Sequence, residues 1–177
     1  MKVSIIALHS WIECIRPPIE TTLALLCSLP SFAVSILHAK TERIPFTLFA
    51  DICSAPGMYS KIILDKYEKT TGIGVSLPVD EGGFPYTITN SRYKIFYRNI
   101  LDKTYKLKLT QPLKLDLALA SCVNYQNNTE NTFYLNLELI IKSLMILFPN
   151  LKSGGNLIIN LTNKNVELSF NIVKILS

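Results

Sequence analysis

From Thr47 onward the chain alternates short apolar runs with longer amphipathic stretches, and no other feature restricts its fold as strongly. The runs are "FTLFADIC", "TGIGVSL", "YKIFYRNI", "LDLALASC" and "GGNLIINLT". Each has strand length, and "LDLALASC" is apolar almost throughout, the pattern of a strand buried on both faces. Between the runs, "MYSKIILDKYEK" sets Met58, Ile62, Ile63 and Tyr67 on or near one helical face with charges opposite. "TFYLNLELIIKSLMILFPN" carries a stripe through Leu135, Leu139, Ile140 and Leu144 and stops near Pro149-Asn150. "NVELSFNIVKIL" reads as a last helix. Strands alternating with amphipathic helices predict an α/β fold: a Rossmann-like, doubly wound, mostly parallel sheet covered on both faces.

The first 40 residues read differently. Thr21 to Ala39 carries no full charge and is about long enough to span a bilayer. Pro30 interrupts it, with Ser28, Ser31 and Ser35 around, so two packed helices broken near Pro30 are expected, and a membrane-tethered form is the alternative. Met1 to Ile15 makes a poor signal peptide, because Trp11 and Glu13 interrupt it and no small-residue cleavage site follows. The expected organisation is a short helical region over residues 1–40, then one domain over 41–177 whose last strands are missing.

At 177 residues and 49% hydrophobic content the chain can build a core, which excludes a disordered class. A net charge of +5 is compatible with nucleic acid or an anionic membrane face, and equally with a solvated basic surface. Cys14, Cys27, Cys53 and Cys122 are far apart and form no C-x-x-C pair. That excludes a zinc pattern and a dense disulfide framework; reduced thiols in a cytosol-like compartment, and no metal, are expected. N-x-T sequons stand at Asn127 and Asn160, the second inside an expected strand, which argues against glycosylation there.

In an open parallel sheet, ligands bind outside the carboxyl ends of the strands. Cys53 to Gly57 is such a place: Ser54, Ala55 and Gly57 are small, and the next helix directs its unpaired amides at the same spot. The turn has one glycine, so it is not the dinucleotide fingerprint, and no G-K-[ST] follows, so it is not a P-loop. A tight strand-to-helix turn with no ligand is the plainer alternative.

"DICSAPGMYSKIIL" resembles the first motif of the FtsJ-like family of S-adenosylmethionine-dependent RNA 2′-O-methyltransferases, whose usual form is D-L-x-x-x-P-G-G-[WF]-S. Asp51, Pro56, Gly57 and Ser60 match, Tyr59 replaces the usual Trp or Phe, and Met58 replaces the second glycine. "GIGVSLPVDEGGFPY", "LDLALASC" and "LKSGGNLIIN" resemble the family's second, fourth and fifth strands in order and spacing, so the likeness covers about Ala50 to Ser177. It implies S-adenosylmethionine as cofactor, bound by Asp51, Ser54, Ala55, Pro56, Gly57 and Tyr59. Ser76 takes the place of the ribose-binding acid, with Asp80 and Glu81 just beyond, and Asn99 takes the adenine place, with Asp102 nearby. A carboxylate suits a ribose diol because it accepts two hydrogen bonds; a serine does this less well.

The resemblance also implies a lysine–aspartate–lysine–glutamate tetrad that takes the proton from a ribose hydroxyl as it attacks the methyl group. Lys40 or Arg43 stands nearest the first place, Cys122 at the aspartate and Asn160 at the second lysine. Asp116 begins the fourth strand, at the wrong end of the sheet; Lys164 lies four residues beyond Asn160, and Glu167 is the one downstream acid. Asparagine has no proton-accepting group at neutral pH and a thiol does not copy a carboxylate, so the tetrad reads as degenerate. Three readings stay open: a catalytically inactive module of the same fold for RNA or protein interaction, a methyltransferase acting on another group with Cys122 and Asn124 beside the methyl, or a 2′-O-methyltransferase completed by a separate C-terminal segment. RNA is the expected partner, through Arg92, Lys106 and Lys108, with Lys94 and Arg98 adding charge and Tyr93 and Tyr97 offering stacking surfaces. A solvated loop face and packing tyrosines are the alternatives. The expected setting is the cytoplasm or nucleus, or a host cytoplasm if the source is viral.

Overall fold

The structure, a computed structural model, describes residues 4–9, 47–102, 113–122 and 130–161. Among them lie six strands: β1 (Ser4–His9), β2 (Leu48–Ile52), β3 (Thr71–Ser76), β4 (Tyr93–Tyr97), β5 (Leu115–Ala120) and β6 (Leu151–Leu161). They form one sheet in the order β1-β6-β5-β2-β3-β4, and every neighbouring pair is parallel. Helix α1 (Met58–Lys66) joins β2 to β3, and α2 (Glu130–Leu147) lies between β5 and β6. The expected Rossmann-like parallel α/β fold is what forms.

Alternation along the central strands explains the two-layer covering. Phe49, Leu117, Leu119 and Ile158 point to one face and pack with Ile63 and Leu64 of α1. Ala50, Ile52, Ala118, Ala120, Leu157 and Ile159 point to the other face and pack with Ile140 and Leu147 of α2. All six residues of β5 are buried, as its text, apolar but for Asp116, leads one to expect. Each fully buried Leu, Ile or Phe contributes about 1.5–3 kcal/mol of transfer free energy, so these two layers supply the main driving force.

The helix limits follow from local chemistry. α2 gives way to a 3-10 turn, Phe148–Asn150, with Pro149 near its start. Asn150 then closes the corner: its Nδ2 donates to Ile146 O at 2.7 Å and its Oδ1 accepts from Leu113 N at 3.1 Å. On α1 the buried residues are Ser60, Ile63 and Leu64, whereas Met58 is exposed. The expected apolar face was therefore placed too near the helix start, where Met58 stands beyond the sheet's rim.

The N-terminal expectation needs correction at one place. Ser4–His9 is a strand, not a helix, and pairs in parallel with β6 from Ser4↔Asn156 to His9↔Leu161. A six-residue apolar run does not reveal its own period, and the open edge of β6 decides its conformation. Thr21 to Ala39 and the last predicted helix lie outside the described residues. Among the described residues, no helix is long and apolar enough to cross a membrane.

Candidate functional site

From β2 the chain runs outward through β3 to β4, and β5 and β6 lie on the other side of β2. Chain connections thus leave β2 and β5 in opposite directions, which makes the carboxyl ends of these two strands the switch point where open sheets of this kind form their ligand crevice. The turn after β2 stands there. Cys53 N and Ser54 N both donate to Val75 O, at 2.7 and 3.2 Å, and Ala55 N points at Ser76 Oγ at 3.4 Å. The Ala55–Pro56 peptide is cis. Gly57 precedes α1 with φ +101° and gives the helix no side-chain cap. A Cβ at Gly57 would stand 2.5 Å from Ile88 Cδ1, so glycine is required there twice over, for its conformation and for its size. The first amides of α1 have no acceptor within the helix.

The segment between β3 and β4 fastens itself onto this turn. Thr87 donates to Pro56 O through its amide and its hydroxyl, both at 3.0 Å. The Tyr86 hydroxyl bonds to Ser54 Oγ, and Tyr86 meets Tyr97 edge-on at 5.6 Å. Below lies a chain of hydroxyl groups. Tyr93 Oη is 3.3 Å from Ser54 Oγ and 2.7 Å from Ser60 Oγ. Ser60 donates to Asp51 Oδ2 at 2.8 Å, and Ser121 donates to Asp51 Oδ1 at 3.1 Å. Each hydroxyl holds one proton, so with Asp51 ionised the order is Tyr86 to Ser54 to Tyr93 to Ser60 to Asp51. The bare backbone of Gly74 leaves room for both tyrosine hydroxyls. Burial pushes Tyr86 and Tyr93 well above the usual phenol range, so both stay donors. Burial likewise pushes Asp51 up to about 7, against the lowering by its bonds to Ser60 and Ser121.

These contacts sort the residues named from sequence. Asp51 is fully buried and Ser54 nearly so, and both hold the turn from beneath. Ala55 and Tyr59 are half-buried, Pro56 is exposed and Gly57 is buried. Ser76, buried at the end of β3, faces the turn. Asn99 donates from Nδ2 to Glu81 Oε2 at 3.3 Å and accepts from Leu101 N at 3.0 Å. The loop after β3 and the residue expected at the adenine place are thereby joined. Sequence reasoning noted Glu81 nearby but missed the contacts of Tyr86 and Ile88, which meet the turn only once the segment between β3 and β4 folds back on it.

Three expectations change. Arg92 is engaged internally: Nη1 donates to Tyr67 O and Thr70 O, both at 2.8 Å, and Nη2 to Leu64 O at 2.6 Å. It caps the end of α1, and that replaces its reading as a phosphate contact. Tyr93 is buried in the hydroxyl chain, a packing role, while Tyr97 keeps an exposed flank. Cys53 and Cys122 form a disulfide across 69 residues, which overturns reduced thiols for this pair. Cys122 is 1% exposed and, bonded to Cys53, carries no proton to exchange beside a methyl group. Asp116 lies at the amino end of β5, as its position in the run indicated. Asn160 lies near the end of β6 opposite Leu8. Lys40, Arg43, Lys106, Lys108, Asn124, Lys164 and Glu167 fall outside the described residues. Among the described residues no group of His, Cys, Asp and Glu could hold a metal ion.

A parallel Rossmann-like sheet with a helix start at its switch point places the chain in the class of doubly wound α/β proteins. Within that class, the chain belongs to the FtsJ-like methyltransferase family, whose family model matches residues 33–175. A solved protein named as a ribosomal RNA methyltransferase from Plasmodium falciparum shares 16% identity and a TM-score of 0.53, covering 75% of this chain and 76% of that one. At this identity the likeness concerns the fold. An O-methyltransferase family protein from Burkholderia thailandensis has 16% identity and a TM-score of 0.44, covering 81% of this chain and 43% of that one. Human N-acetylserotonin methyltransferase, solved with SAM, has 13% identity and a TM-score of 0.40, covering 72% of this chain and 35% of that one. These two add no weight to the first. No curated protein matches the chain.

Proposed function

We propose that the chain is an S-adenosylmethionine-dependent methyltransferase whose acceptor is RNA, the ribose 2′-hydroxyl being the target group. The observation that carries the reading is the Cys53–Gly57 turn: an uncapped helix start behind a left-handed glycine, at the switch point of a parallel sheet. The donor set fits the cofactor. Backbone amides in the first turn of α1 suit the amino-acid carboxylate. Glu81 beside Asn99 suits the nucleoside, a carboxylate for the diol and an amide for the base edge. When bound, the cofactor supplies an electrophilic methyl group on a sulfonium. The chain's own part is to seat it rigidly: the hydroxyl chain from Tyr86 to Asp51 and the strap at Thr87 hold the turn from two sides.

One observation favours a second reading, an inactive module of the same fold. The position corresponding to the tetrad aspartate is Cys122, which is buried and disulfide-bonded, and it offers no carboxylate to position a lysine. Calorimetry with S-adenosylmethionine followed by transfer of a labelled methyl group to RNA separates the two. The methyltransferase reading expects binding and label in RNA, whereas binding without label favours the module. Absence of binding at millimolar cofactor removes both the cofactor and the reaction. Glu81→Gln is expected to weaken cofactor binding by roughly fivefold, since one charge-assisted bond to a diol is lost, while Asp80→Asn leaves it unchanged. Equal affinities for the two variants would remove Glu81 from the ribose site.

A further inference from the structure

The disulfide spans the crevice at its most sensitive point. Cys53 is the first residue after β2, and Cys122 is the second after β5, the two strands between which the chain changes direction. Ile52 pairs with Ala120, and Ser121 N donates to Ile52 O at 3.0 Å, so the backbones already run side by side. The two Cα atoms are 4.9 Å apart, within the ordinary range for a disulfide. Cys53 also holds φ at +60°, a conformation uncommon for a side chain of this kind. Cys53 is a partly exposed residue, while Cys122 is buried in the core against α2.

The surroundings of Cys122 are built for a thiol as well. Ser143 is fully buried, and its hydroxyl donates to Leu139 O at 2.8 Å. That leaves an oxygen lone pair facing Cys122 Sγ at 2.9 Å. An S–H group would donate into this lone pair; a disulfide sulfur cannot. Ile52 O, 3.8 Å from the same sulfur, is a second acceptor. The fold therefore has a satisfied arrangement for the dithiol ready in place.

We propose that Cys53 and Cys122 form a reversible thiol–disulfide site that fastens the Cys53–Gly57 turn to the end of β5. The reductant is a small dithiol. Its thiolate attacks the sulfur of Cys53, the more exposed of the two residues; the Cys53–Cys122 bond breaks, and Cys122 leaves as a thiolate that takes up a proton and, as a thiol, donates a hydrogen bond to Ser143 Oγ. The second thiol of the reductant then attacks the mixed disulfide and releases Cys53 as a thiol. The protein gains two electrons and two protons, and the dithiol closes to a cyclic disulfide. Oxidised, the turn is pinned to β5; reduced, it is held by hydrogen bonds alone.

The test uses the full chain without cofactor, equilibrated with oxidised and reduced dithiothreitol at a series of ratios. Alkylation and peptide mass mapping follow Cys53 and Cys122, with Cys14 and Cys27 as internal standards. Both cysteines of the pair are expected to become alkylated together as the ratio becomes reducing. Hydrogen exchange of the peptide spanning residues 50–60 is expected to be roughly threefold or more faster in the reduced protein, with α2 unchanged. The variant Cys53→Ser/Cys122→Ala should match the reduced protein and ignore the ratio. Independent alkylation of the two cysteines, or equal exchange in both states, overturns the proposal. Cofactor calorimetry on the same two states tests the methyltransferase reading separately: no binding in either state removes that reading and leaves the thiol–disulfide result standing.

Discussion

Asp51 is the residue on which the turn rests. Its carboxyl is fully buried among hydroxyl groups, with no cation bonded to it among the described residues. Burial pushes it from the ordinary 3.8 up to about 7. The native state therefore holds a proton that the unfolded chain releases near pH 4. Stability falls as pH rises from about 4 to 7 and is level beyond, the reverse of a salt-bridged carboxylate. The interval corresponds to about 4 kcal/mol at full effect, an upper figure because hydroxyl groups can turn to follow the charge. Asp51→Asn keeps the shape and removes the titration. Denaturant midpoints from pH 4 to 8 are expected to fall for the natural protein and stay nearly flat for the variant, whose relative stability rises across the range. Parallel curves would show Asp51 to be ionised throughout. The motif marked Asp51 from sequence, but not its protonation, which depends on its burial in the folded sheet and on bonds from Ser60 and from Ser121, 70 residues away.

At the level of elements, apolar runs and helical stripes were enough to place β2 to β6, α1 and α2 within a few residues. They depend on burial and period, both written locally. Pairings between distant groups were not legible. Arg92 looked like a surface cation because its sequence neighbours are Ser91 and Tyr93; its partners are carbonyls at the end of α1, brought near only when β4 joins β3. A guanidinium reaches three carbonyls from two nitrogens and meets the negative end of the helix dipole. Arg92→Ala is expected to lower stability by about 2 kcal/mol, read as a drop in urea midpoint with unchanged slope. Arg92→Lys should recover only part, because one ammonium lacks the fork. RNA affinity of the folded variant should not move. A stable variant that loses RNA affinity would return Arg92 to the surface role. The same cause hid the disulfide: Cys53 and Cys122 meet only because β5 lies against β2, an order that the sequence does not state.

The whole sheet divides its work between its two ends. At the carboxyl end lie the turn, the hydroxyl chain and the disulfide; at the amino end Asp116 gathers the three central strands. Its Oδ2 accepts from Thr47 N at 2.7 Å, Thr47 Oγ1 at 3.0 Å and Leu48 N at 2.9 Å, all where β2 begins. Its Oδ1 meets Lys152 at the start of β6. Burial alone would raise this carboxyl, yet the bonds from Lys152, Leu48 and Thr47 outweigh it and hold it below the ordinary 3.8. Here the sign opposes that of Asp51. The unfolded chain binds protons more readily, so Asp116 contributes its stability above about pH 4, and that contribution is lost as pH falls through its native value. Asp116→Asn keeps an oxygen for the β2 amides but sets a donor against Lys152. The variant is expected to be about 1–2 kcal/mol less stable at pH 7, by loss of one partly exposed ion pair and weaker acceptance by a neutral oxygen. The gap from the natural protein should narrow as pH drops below about 4. Paired urea titrations at pH 7, 4 and 2.5 measure it. A gap that stays constant would mean that Asp116 holds the strands by shape rather than by charge. Cofactor affinity at pH 7, where both proteins are folded, should be the same, because the anchor and the crevice lie at opposite ends of the same strands.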